Sequence, residues 1–386
     1  MRPTWFLAVT LAQSLSATAQ STDADILQGI RSDYPLTPAI AAYRNRGGEI
    51  QKEAVGVRKR GDPTEVEITD QFHMGYLSDA MTSTLLGIFV DEGILDWDTT
   101  LPDAFPQLAG DMHEGFRNVT VDMVAAHHSG FGSYLGDGFL DRLYGLSPVE
   151  GRDLMTSRFL TQPPHVTIWN YYHYATTNYL FLAKSLETLV GEGEETFEDI
   201  MTTRLFEPLG MECGFGSPPE SSETSVDNPW GHDFPTGTSI PLGGQLIRRV
   251  PPPAFAATQI HCDLESHAKF TQFHLDSFNG RPTPLNLSPE TIEKFFTLHS
   301  NQSNTTYGGW VVPDPSEHPW ANGPSFRYGT AFNISGSHTV LAPSLGERGE
   351  SIAAFVNTDD HLGTMAPATA AYTAAIDAMA NGTLFP

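Results

Sequence analysis

Apolar residues return at helical spacing from Met81 onward: Met81, Leu85, Ile88 and Phe89 share one face, and Gly93 closes the run. Residues 37–60 alternate weakly around Asn45-Arg46-Gly47-Gly48, which predicts a strand, a turn and a second strand. A further helix is predicted over 118–128, closed by Ser129-Gly130. A longer one spans 176–190, with Tyr179, Leu182, Leu186 and Leu189 in register and Gly191 as terminator. Residues 263–278 read as helix again. Before it, 215–255 is rich in Pro, Gly, Ser and Asp and reads as an irregular insertion. The last third changes period. Gly308 to Val312, Thr339 to Ala342 and Ile352 to Val356 predict short antiparallel strands, and an alanine-rich helix over 364–380 ends the chain. Strands at both ends with helices between them define an α+β fold, an antiparallel sheet closed by both termini around a helical middle region.

Composition narrows the function classes. With 386 residues, 40% of them hydrophobic, the chain can bury a substantial core. Acidic residues outnumber basic ones 46 to 21, which disfavours nucleic acid and anionic membranes as partners and leaves a small-molecule ligand or substrate. Arg2, the mostly apolar stretch Trp5 to Leu15, and Ala17-Thr18-Ala19 before Gln20 have the layout of an export signal. Residues 1–19 are therefore expected to be a signal peptide and 20–386 one secreted or secretory-lumen domain. No later stretch is apolar for long enough to predict a membrane span. The sequons at Asn118, Asn286, Asn301, Asn304, Asn333 and Asn381 are candidate glycosylation sites on that route. Cys213 and Cys262 are either one disulfide or two buried thiols. The histidines show no metal-ligand spacing and no Gly-rich nucleotide motif is present, so neither a metal nor a cofactor is expected.

Five segments occur in a telling order. They are Phe72-His73-Met74-Gly75 before a helix ending Val90-Asp91-Glu92-Gly93, and Thr120-Val121-Asp122-Met123 with His127-His128-Ser129-Gly130. Then come Glu207-Pro208-Leu209-Gly210-Met211 and Gly309-Trp310. Together they resemble the serine β-lactamase, penicillin-binding-protein and esterase superfamily, class C type, over most of residues 35–380. That resemblance implies a β-lactamase/transpeptidase-like fold. It also implies three catalytic elements: a Ser-x-x-Lys helix start, a Tyr-x-Asn motif and a Lys/His-x-Gly strand.

In this chain all three elements are altered. Gly75 precedes Gly93 by 18 positions, the family spacing, which puts Tyr76 in the serine slot and Asp79 in the lysine slot. Ser78 is the nearest serine, but the residue three further on is Met81, which is no base, so Ser78 reads as a helix-start cap. The second motif keeps Tyr174 and has Thr176 for the asparagine; the third falls at Thr330-Ala331-Phe332, with no Lys or His and with Phe332 in the glycine position. A cation and a hydroxyl have become a carboxylate and a phenol. Tyr76, Asp79 and Tyr174 are proton-active groups suited to general acid–base chemistry without a covalent intermediate. Trp169, Tyr171, Tyr172 and His173 crowd the second motif, either as walls for an apolar ligand or as ordinary packing; with Thr176, Thr330 and Phe332 they are the candidate substrate contacts. His173 is also a candidate base, His165 lies nearer the expected cleft, and His127 and His128 match a helix end that is usually structural in the family. Three functions fit. One is a non-hydrolytic enzyme that cyclises or isomerises a small natural product. The others are a ligand-binding pseudoenzyme and a residual esterase or transacylase using Ser78.

Overall fold

In the computed structural model the described residues are 21–132, 139–143, 145–165, 172–191, 195–216, 218, 226–233, 240–241, 255–332, 335–358 and 367–386. The strands are β1 (Ala39–Arg46), β2 (Glu49–Gly56), β3 (Phe72–His73), β4 (Cys213–Phe215), β5 (His232–Asp233), β6 (Ile240–Pro241), β7 (Ile260–Cys262), β8 (Phe326–Phe332), β9 (Ser335–Ala342) and β10 (Glu350–Val356). Five of them form an antiparallel sheet in the order β2-β1-β10-β9-β8. The first two strands thus pair with the last three, as strands at both chain ends imply.

The β1–β2 hairpin turns at Gly47-Gly48, both with positive φ (63° and 102°). Two consecutive left-handed residues give the twist that a two-residue hairpin needs, and glycine adopts them without a steric penalty. Along β1 the pleat sends Ala39, Ala41 and Tyr43 into the main core and Ile40 and Ala42 into a smaller one. The smaller core is closed by helix α1 (Asp23–Asp33) and the C-terminal helix α7 (Pro367–Ala380). The sheet is therefore buried on both faces, and its weak alternation in sequence follows from that.

On the other side lie α2 (Leu77–Asp91), α3 (Val121–Ala125), α4 (Pro148–Leu160), α5 (Thr177–Val190) and α6 (Leu264–Phe278). The apolar pattern of α2 predicts one buried face, yet every residue from Leu77 to Phe89 is buried. A helix surrounded by neighbours needs no polar side. Residue ranges otherwise follow the periodicity closely for α5, α6 and α7, with three differences. The helix predicted over 118–128 is helical only over α3, started by a Thr120 side chain that caps Met123 N–H. Gly308 to Val312 is not a strand: Gly309 (φ 80°) turns the chain, and Val311 alone makes isolated bridges, to Thr305 and Arg327. Two of the helices that escape the hydrophobic pattern are marked instead by their caps. Both α1 and α4 carry capping boxes, Thr22 with Asp25 and Ser147 with Glu150. Arg152 of α4 is wholly buried between Glu187 and Glu198.

At the two ends of the predicted insertion, β4 pairs with β7, and that register sets Cys213 opposite Cys262. The two are joined as a disulfide across 49 residues of chain. Closing a loop of that size restricts the unfolded chain, so reduction should lower stability by about 2–4 kcal/mol. Denaturant melts with and without dithiothreitol measure this; an unchanged midpoint would contradict it.

Candidate active site

Asp79 sits in the first turn of α2, two residues after the helix starts, and its side chain is 1% exposed. The helix start is placed by Gly75 (φ 55°) and by Tyr76, its N-cap. Tyr174, just before α5, donates its phenol proton to Asp79 Oδ2 at 2.6 Å. Tyr328 on β8 donates to the same oxygen at 3.3 Å. Oδ1 of Asp79 is buried and has no hydrogen-bond partner among the described residues. The ring of Tyr76 meets that of Tyr174 edge-on, centroids 6.0 Å apart.

These groups line one cavity of about 240 Å³, together with Tyr179, Thr305, Gly309, Val311 and Gly329. Gly309 lets its loop approach α2: a Cβ there would stand 2.9 Å from the Ala80 backbone. The three residues expected to carry the chemistry, Tyr76, Asp79 and Tyr174, therefore converge.

Burial dominates the electrostatics. It pushes the Asp79 carboxyl well above the usual carboxylate range, and the Tyr174 and Tyr328 hydrogen bonds offset only part of that. Burial, followed by the neighbouring Asp79, holds the Tyr174, Tyr179 and Tyr328 phenols well above their ordinary value. The helix dipole that favours an anion in a first turn is worth only about 0.3–1 kcal/mol, too little to reverse the desolvation of a fully buried carboxyl.

His127 supports the site from behind. Its ring lies 4.7 Å from that of Tyr174. Its Nδ1 accepts from Asn178 Nδ2 at 2.7 Å and from the Ala175 N–H at 3.3 Å, which fixes the segment carrying Tyr174. Both donors are unambiguous, so the ring proton sits on Nε2. Burial, followed by His299, His128 and His173, drives its pKa well down and keeps it neutral.

Other predicted residues fall elsewhere. Thr176 is the N-cap of α5, makes no side-chain cap bond and does not line the cavity. His173 is half-buried and bonds through its backbone N–H to the His127 carbonyl, also outside the lining. Thr330 and Phe332 lie on β8, paired with Ser337 and Ser335; their side chains, and Trp169 and Tyr171 entirely, lie outside the described residues. His165 is exposed. Ser78 is not a cap. It is wholly buried, its Oγ accepts from the Ile260 N–H, and it ties α2 to β7. Of the sequons, Asn118, Asn286, Asn301, Asn304 and Asn381 are exposed, whereas Asn333 lies outside the described residues. The residues that the sequence reading missed are Tyr328 and Tyr179. Tyr328 had a signal: two positions before Thr330 on one strand, it shares that residue's face. Tyr179 was read as core packing only.

With fold and site in view, the chain belongs to the β-lactamase family, whose model matches residues 30–375. It is 30% identical over 180 residues to penicillin-binding protein 4 of Amycolatopsis lactamdurans, covering 45% of this chain and 43% of that protein's length. Among solved structures it superimposes on SurE with a TM-score of 0.70 at 16% identity, over 93% of this chain and 75% of the other. The octameric penicillin-binding protein homologue from Pyrococcus abyssi gives 0.69 at 18% identity, over 92% and 76%. At such identities these structures share the fold.

Proposed function

We propose that the protein is a non-hydrolytic enzyme that moves a proton within a small organic molecule, an isomerisation or cyclisation driven by Asp79. The observation that carries this reading is the split environment of the Asp79 carboxyl. Oδ2 accepts from two phenols, while Oδ1 is buried and has no partner among the described residues. In a carboxyl kept protonated by burial, the proton resides on the oxygen that accepts nothing, Oδ1. Asp79 lines the cavity and can donate that proton to a bound molecule.

The step balances. Oδ1 gives up its proton to a carbonyl, hydroxyl or double bond of the substrate, and the new carboxylate is held by the Tyr174 and Tyr328 phenols at Oδ2. Loss of a proton from another position of the substrate returns Asp79 to its acid form. No covalent intermediate is required. The esterase alternative fares worse, because Ser78 is wholly buried, its Oγ is engaged by Ile260 N–H, and it does not line the cavity.

The test is the metabolite profile of a producing host with the gene deleted, then complemented by wild type or by Asp79→Asn. A precursor should accumulate in the deletion and in the Asp79→Asn strain, and disappear with wild type. A fluorophosphonate probe read by intact mass should leave no adduct on any serine. Full rescue by Asp79→Asn would overturn the acid role and favour a ligand-binding protein without catalysis; a serine adduct would restore the hydrolase.

A further inference from the structure

We infer that the Asp79 cavity selects an uncharged, oxygen-bearing small molecule and rejects carboxylates. This inference rests on the site assigned above and adds its substrate class.

Among the described residues the lining consists of phenols, one carboxyl, one threonine hydroxyl, Val311 and two glycines, and none is Lys, Arg or His. Arg327, beside Tyr328, is committed: as the neighbour of Tyr328 on β8 it sits on the opposite side of the pleat, and its Nη1 pairs with Glu317 at 2.8 Å. A substrate carboxylate would therefore leave water with no counter-charge and come to rest beside Asp79. Desolvating an anion without a counter-charge costs several kcal/mol, and passing the Asp79 proton to it would only move the buried charge onto Asp79. A carbonyl or hydroxyl oxygen meets the opposite situation. The Asp79 proton can be donated to it, and the aromatic walls of Tyr76, Tyr174 and Tyr328 accept an apolar skeleton. The molecule's net charge of -25 adds a long-range bias of the same sign.

A matched pair of probes tests this: 2-acetylnaphthalene and 2-naphthoate, bicyclic ligands that differ in a neutral ketone against a carboxylate. Fluorescence titration of the full protein at pH 7.5 should give the ketone at least about tenfold tighter binding, a difference of about 1.4 kcal/mol. A crystal soaked with the ketone should show its oxygen at Asp79. Asp79→Lys, which returns a cation to the slot, should reverse the preference; where that variant does not fold, the wild-type titration and the soaked crystal decide alone. Equal or tighter binding of naphthoate, ketone density away from Asp79, or no binding of either at about 1 mM would each overturn the inference. The outcome is independent of the host experiment. Selective binding together with full rescue by Asp79→Asn sinks the catalytic reading and keeps this one, whereas a metabolite shift with unselective binding does the reverse.

Discussion

Acidification from pH 7 to pH 5 should unfold this protein. Six buried histidines besides His127 titrate far below the ordinary histidine value. His73, His267, His274 and His299 are held down to about 3, and His232 and His338 to about 4, each chiefly by desolvation. In the unfolded chain they titrate near 6.5. The folded state therefore refuses protons that the unfolded state accepts, and the stability present above pH 6.5 is lost as the pH falls toward 3–4. Each such group costs about 1.4 kcal/mol per pH unit inside that window. Six together amount to about 8 kcal/mol per unit, against a typical total stability of about 5–15 kcal/mol. Asp79 works the other way, because its raised value favours the folded state in acid, but it is one group against six. Relief of self-repulsion among the surface carboxylates also opposes the trend and is screened by salt. Melting temperature followed by circular dichroism should fall steeply from pH 6.5 to pH 5. Phenylalanine at His267 or His274, both packed among aromatic rings, should move the acid midpoint lower. A melting temperature that holds level down to pH 4.5 would contradict the buried neutral state of these rings.

Asp79→Asn should make the protein both more stable and inactive. The native carboxyl keeps its proton at a pH where the unfolded one, near 3.8, has lost it. Between those two values the folded state holds one more proton, so stability declines as pH rises through the window. Asparagine has the same shape, carries no charge and can still accept from Tyr174 and Tyr328 at its amide oxygen. It should raise stability at neutral pH by about 0.5–2 kcal/mol, the usual trade at a functional group. Product formation should fall by about 10²–10⁴-fold, the contribution of a positioned general acid. Wild-type turnover should decline on the alkaline side, as pH rises through the elevated Asp79 value. Melting curves at pH 6.5 and pH 8 report the first effect, with the gap between variant and wild type widening as pH rises. Equal melting temperatures at both would mean that Asp79 is ionised in the fold, and the proton-donor mechanism would fall with it.

Much of this molecule was legible in the chain because its signals are local. Helical spacing located α5, α6 and α7 to within a few residues, since each buries a face against a neighbour. The interval from Gly75 to Gly93 placed Tyr76 and Asp79 at the head of α2, and Tyr174 followed from its own motif. Where the signal was not the period but the cap, as in α1 and α4, the hydrophobic pattern missed a real helix. The stretch around Gly309 alternates like a strand, yet its positive φ makes it a turn against α2.

What the sequence could not decide is what depends on partners far along the chain. Tyr328 reaches Asp79 across 249 positions, through the register of the β8–β9 hairpin and the docking of the sheet on α2. Ser78 spends its hydroxyl on Ile260, 182 residues away, rather than on its own helix end. The choice between a disulfide and two thiols was made by the β4–β7 register. The sequence by itself determined which groups stand at the heads of α2 and α5, because helix periodicity and motif spacing are encoded within a few turns of chain. Only the tertiary structure decided their protonation, because desolvation is a property of everything packed around a carboxyl and not of its neighbours in sequence.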